Sequence, residues 1–254
     1  MRVIRILSIA LVLGLVAAPA LADYSGGRIY YDRETSYYSG NGGEFTIKED
    51  GDGYPFQLSN SAYADVARGV QSPESFQTFC VENTEYVDQP MDVKVSTTWT
   101  SGDNYPQWDS DNEHFPQSHA IEGSEDVGDD LNPETAYLYS HFARGSLGGY
   151  HYALTGTDPT SGLTRAQSAG QLQHAIWFAE GEIGSLTSGS WAETWYDQAV
   201  DHQWADIGNV RVLNMYTTGG GLAQDQLYLI PAPGAALLGV IGLGLVAWMR
   251  RRFS

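Results

Sequence analysis

All 31 acidic residues of this chain lie between Asp23 and Asp225, and neither end carries one. Of the 13 basic residues, Arg2 and Arg5 stand at the start and Arg250, Arg251 and Arg252 at the finish. Residues 23–229 therefore keep eight bases and a net charge of −23. An acidic middle is held between two apolar, arginine-tipped ends, and each part must be read by itself. Phosphate backbones repel so acidic a surface, so nucleic acid is not an expected partner.

Residues 1–22 combine a basic start, an apolar run from Ile6 to Ala18 and the small-x-small exit Ala20-Leu21-Ala22. This is the pattern of a secretory signal helix cleaved after Ala22. At the other end, Ile230 to Met249 is a 20-residue stretch without charge, long enough to cross a bilayer. The triple arginine beyond it belongs on the cytoplasmic side. The expected division is a signal peptide at 1–22, an extracellular domain at 23–229 and a transmembrane sorting tail at 230–254.

The tail reads Pro231-Ala232-Pro233-Gly234, then AALLGVIGLGLVAWM, then Arg250-Arg251-Arg252. It resembles the PEP-CTERM sorting signal, with Ala232 where that family usually has Glu. The resemblance implies an exosortase-like processing enzyme as a partner and a membrane-held stage through the C-terminal helix. It also implies a final place at the cell surface or in the extracellular matrix of a Gram-negative bacterium. The alternative is an ordinary C-terminal membrane anchor, which also places the domain at a cell surface.

Within the middle, aromatic residues are 12% and charged residues only 17% of the whole chain, a composition that favours a packed core over disorder. Cys80 is the single cysteine, so no internal disulfide can staple the fold. Strand-like runs occur at Arg28–Tyr31, Glu44–Lys48, Phe76–Val81 and Asp92–Thr100, the last with strict alternation from Val93 to Trp99. Helices are expected from Asn132 to Gly145, from Thr164 to Ala179, and from Ser190, where Glu193 completes a capping-box pattern. Strand character returns at Val210–Tyr216 and Gln226–Ile230. The expected fold is α+β: a sandwich-like or barrel-like β-sheet core with an inserted helical subdomain.

Enzyme signatures are scarce. There is no Gly-x-Ser-x-Gly, no P-loop and no His-Glu-x-x-His, and His114 and His119 are the closest histidine pair. Glu180 and Glu182 flank a glycine at a helix end, where two carboxylates need not face one site. Two acidic runs are weak calcium candidates, one through Asp50 and Asp52, the other through Asp109 and Asp111. Neither completes an EF-hand loop. No metal or other cofactor is expected, nor is turnover as an enzyme.

One pair of segments stands out. Phe76-Gln77-Thr78-Phe79-Cys80-Val81 is strand-like, and Leu172-Gln173-His174-Ala175-Ile176-Trp177 lies on the second helix. At helical spacing, Gln173 falls at the edge of the apolar face made by Leu172 and Ile176, with Trp177 one turn on and His174 turned away.

This pair resembles the bacterial thioester domain, also called the TQXA domain. The resemblance implies Cys80 as the thiol and Gln173 as the acyl donor of an internal thioester, with Leu172 and Ile176 flanking. Leu172 stands where Thr is common in that family. Such a bond must be kept from water, and Phe76, Phe79 and Trp177 are the aromatic residues expected to do so. It would couple the protein to an amine-bearing surface or matrix partner, as an adhesin consumed in use.

Two alternatives stay open. Cys80 can be an inert buried residue, or a thiol left for intermolecular disulfides. With an inert cysteine, the domain becomes a non-covalent matrix or polysaccharide module, for which Tyr105, Trp108, Trp191, Trp195 and Trp204 are candidate sugar platforms.

Overall fold

The strand-like runs pair as the alternation of their side chains requires, and every pairing among the described residues is antiparallel. The computed structural model describes residues 24–40, 42–49, 62–69, 74–83, 91–96, 98–100, 128–217 and 222–230. The signal peptide with Ala20 and Ala22, and the tail with Pro231, Pro233, Gly234, Arg250, Arg251 and Arg252, lie outside these residues. Among the described residues, no helix is long and apolar enough to cross a membrane.

The strands in chain order are β1 (Tyr24–Asp32), β2 (Tyr38–Ser39), β3 (Gly42–Gly43), β4 (Phe45–Glu49), β5 (Phe76–Thr78), β6 (Met91–Ser96), β7 (Thr98–Thr100), β8 (Gly128–Asp130), β9 (Val210–Thr217) and β10 (Leu222–Leu229). Six of them form the main sheet in the order β10-β9-β6-β1-β4-β5. The expected strand over 92–100 is divided: β6 pairs with β1 and β9, while β7 pairs with β8 in a separate ribbon. Three helices run consecutively between β8 and β9: α1 (Pro133–Ala143), α2 (Arg165–Ala179) and α3 (Trp191–His202). The protein is thus α+β, with a mostly antiparallel sheet core and three helices among the described residues.

The two edges of the sheet meet just after β5. Leu227 N–H donates to Phe79 O and Val81 N–H to Asp225 O, each at 3.0 Å, and these bonds frame a bridge between Cys80 and Gln226. The single cysteine sits at this seam.

The helix ends follow their local signals, with two exceptions. Thr164 and Gln167 complete a reciprocal capping box at α2. Gly145 takes the left-handed conformation that ends α1, at φ 68°. Ser190 accepts from Glu193 N–H, but Glu193 reaches back to Gly189 instead of Ser190. Asn132 does not cap α1 with its side chain. Its Nδ2 donates to Ala179 O at 2.7 Å, which ties the start of α1 to the end of α2.

The main core lies between the sheet and the helices. Ile29, Ile47 and Leu213 of the sheet meet Leu138 and Phe142 of α1, Leu172 and Ile176 of α2, and Trp195 of α3. A buried ion pair fixes α2 against the sheet. Glu44 receives Arg165 Nη2 at 2.7 Å and Nε at 2.8 Å, and Tyr150 OH at 2.6 Å. Burial pushes the Glu44 carboxyl upward, and Arg165 and Tyr150 work against that shift. The guanidinium also lies over the Tyr37 ring and donates to Tyr152 O.

Candidate functional site

Cys80 and Gln173, 93 residues apart in sequence, meet in the fold. β4 pairs with β5 only as far as Phe45 and Thr78, so the chain at Cys80 has lost its neighbour on that side. The bonds that frame its bridge to β10 come from Phe79 and Val81, so the N–H and C=O of Cys80 itself face the other way. The Gln173 carboxamide fills the gap. Cys80 N–H donates to Gln173 Oε1 at 3.3 Å, and Gln173 Nε2 donates to Cys80 O at 2.8 Å. A side-chain amide from α2 thereby pairs with the strand as a neighbouring peptide group would.

This pairing places the sulfur on the carboxamide. Cys80 Sγ lies 3.2 Å from Gln173 Oε1 and donates its proton there. The carbonyl carbon is one bond of about 1.2 Å from that oxygen, so it lies within roughly 4.5 Å of the sulfur. Cys80 and Gln173 are both 0% exposed.

The walls of this niche differ from the expectation. Cys80 clusters with Phe45 and Trp177, and the partly buried Tyr31 and Ile183 pack at its margin. Trp177 is thus where the sequence placed it. Phe76 and Phe79 are not in this cluster. Phe76 stacks on Tyr63 with ring centroids 4.7 Å apart, and Phe79 meets Phe142 edge-on at 4.9 Å. Phe79 neighbours Cys80 in an extended segment and so turns to the opposite face. Phe76 lies four residues back, roughly 13 Å along the strand. Leu172 and Ile176 likewise belong to the main core and hold the helix that presents Gln173. His174 is exposed beside Trp177, with ring centroids 5.8 Å apart.

Electrostatics keep the sulfur protonated. Burial pushes the Cys80 thiol well up, and the nearby Glu82 carboxylate adds to that. Trp177, the Cys80 backbone and Arg33 pull weakly the other way. Arg33 lies over the rings of Tyr38 and Phe45, 3.9 and 5.2 Å from their centroids, and donates to Gly40 O at 3.1 Å. It pins the β2–β3 hairpin beside the niche.

Other sequence candidates resolve into structure. Glu180 accepts from Asn132 N–H and Glu182 from Asn83 N–H, so the two carboxylates hold separate backbone groups. Trp195 is fully buried and donates to Gly148 O at 2.8 Å. Trp191 packs on Trp195, and Trp204 sits edge-on to Tyr137. Trp195 is thus a core residue, while Trp191 and Trp204 are partly buried. Tyr105, Trp108, His114, His119 and the calcium candidates Asp50, Asp52, Asp109 and Asp111 lie outside the described residues. Among the described residues, no group of three or more His, Cys, Asp or Glu side chains could hold a metal ion.

Sequence reasoning passed over Phe45, Tyr31, Ile183, Arg33 and Gly42. The signal for Gly42 was present, because a Gly-Gly pair between aromatic and strand-like residues marks a close backbone approach. No protein family, curated protein or solved structure matches this chain.

Proposed function

We propose that this chain is an exported, surface-sorted adhesin whose Cys80 and Gln173 condense into an internal thioester that couples to amines. The observation that carries the reading is the sulfur 3.2 Å from the Gln173 carboxamide oxygen in a fully buried niche. Cys80 N–H already points at the oxygen on which negative charge would collect during attack. The aromatic walls limit hydrolysis. Among side chains, only Lys48 and Lys94 carry amines that could quench the bond. The acidic middle favours a basic, amine-bearing partner.

In this reading the protein is consumed in use and does not turn over. The thioester-domain and PEP-CTERM resemblances, exosortase-like processing and the cell-surface or matrix location belong to the same proposal. So does a barrel-like core, closed at the Cys80 seam and carrying an inserted helical subdomain.

Intact mass of the purified full-length chain tests the reading. The expected result is a species lighter by one ammonia, which gains one methylamine on treatment; Cys80→Ala abolishes both effects. An unmodified mass with Cys80 open to alkylation in the native protein would overturn it. That outcome would favour the second reading, a non-covalent matrix or polysaccharide module in which the carboxamide is only a clamp. The two backbone bonds between Gln173 and Cys80 are what support that reading.

A further inference from the structure

Trp177 carries a polar atom that the fold leaves unused. Its indole Nε1 is buried and has no hydrogen-bond acceptor among the described residues, while the ring packs with Cys80 and Phe45. A buried donor left without a partner carries a free-energy cost, so its retention needs a reason. Position supplies one. Trp177 follows Gln173 by one turn of α2, and both side chains press on Gly42. A methyl group there would meet Gln173 Cγ at 2.8 Å and Trp177 Cη2 at 3.6 Å. The ring therefore borders the sulfur and the carboxamide together.

The chemistry of the niche lacks what this N–H can give. Reaction in either direction passes through negative charge on sulfur, and burial disfavours that charge strongly. The indole packed beside the sulfur is among the few groups that favour its charged form.

We propose that Trp177 is a catalytic donor whose indole N–H stabilises the Cys80 sulfur as it gains negative charge, both when the thioester forms and when an amine opens it. This inference rests on the thioester reading. In formation, the thiol gives up its proton and the sulfur electron pair bonds to Gln173 Cδ. The carbonyl π pair moves to Oε1, where Cys80 N–H receives it. Collapse breaks the Cδ–Nε2 bond, and the nitrogen takes up the thiol proton and leaves as ammonia. In opening, an amine lone pair bonds to Cδ, the C–S bond breaks with its pair returning to sulfur, and sulfur regains the proton that the amine loses.

Trp177→Phe keeps the ring and removes the donor. After refolding of the full-length chain, ammonia loss and methylamine uptake are expected to slow by about 10²–10³-fold, the effect of removing one preorganised donor. An indole isostere with sulfur in place of N–H at position 177 tests the same point if Phe disturbs folding. In the Gln173→Ala background, where no thioester can form, either change is expected to raise the pH midpoint of Cys80 alkylation. Loss of packing alone would not raise it. Unchanged rates and an unchanged midpoint would overturn the proposal. A wild-type chain that never loses ammonia would overturn the thioester reading instead, and the alkylation midpoint would still report on the donor.

Discussion

Gly42 lies so close to Gln173 that a methyl group in its place would sit 2.8 Å from Cγ and 3.1 Å from Cβ of that side chain. The β2–β3 hairpin thus rests its backbone directly on the residue that faces Cys80. Gly43 beside it has φ 138°, and a side chain there would run into the Tyr38 backbone at 2.5 Å. The glycine pair lets a strand cover the carboxamide where any other residue would displace it.

Gly42→Ala is therefore expected to shift Gln173 away from the sulfur. Overpacking of this kind costs about 1–3 kcal/mol, measurable by urea denaturation. Intact mass is expected to show the chain without ammonia loss, although Cys80 and Gln173 are both present.

Arg165 and Glu44 form a paired, buried contact between α2 and the sheet. Arg165→Met leaves the Glu44 carboxylate buried without its partner and is expected to cost about 3–5 kcal/mol. Adding Glu44→Leu removes the stranded charge and is expected to recover much of that loss, so a double-mutant cycle by chemical denaturation separates the charge from the packing.

Tyr63 OH accepts from Leu229 N–H at 2.7 Å and pairs with Tyr139 OH at 2.8 Å. Tyr63→Phe strands the Leu229 N–H in the core, while Tyr139 OH keeps its bond to Gln77 O, and is expected to destabilise by about 1–3 kcal/mol. Thermal or urea unfolding of the variant checks this.

Alkaline pH is expected to unfold the protein. Burial holds the phenols of Tyr63, Tyr139 and Tyr150 above their ordinary values, as it does the Cys80 thiol. Unfolded chains release these protons near pH 8.5 for Cys and about 10 for Tyr, while the folded chain retains them. The unfolded state then binds fewer protons, so stability is fully present below those values and falls as pH rises through them. The loss approaches about 1.4 kcal/mol per pH unit for each group. A cooperative step in tyrosinate absorbance that coincides with loss of circular dichroism is the expected signature. A Cys80 already acylated drops out of the sum.

The helices were the most legible part of the chain. Thr164, Ser190 and Gly145 sit at helix ends where their side chains or backbone freedom serve helix termini, and these signals span only three or four residues. The strand runs at Phe76 and Val210 were legible for the same reason. The break between β6 and β7 was not, because Val93 to Trp99 alternates without interruption. Only the separate partners of the two strands, β9 for one and β8 for the other, divide them.

The sequence by itself determined the acidic middle with its two arginine-tipped ends, the α+β order of elements, and the two segments that carry Cys80 and Gln173. Tertiary structure alone decided what surrounds the sulfur. Phe45, Tyr31 and Ile183 reach it from distant parts of the chain, and Phe79, its immediate neighbour, turns away. Local patterns report which face of one element is apolar. Which distant face closes over it depends on how the edges of the sheet meet, and that is set by pairing across more than a hundred residues.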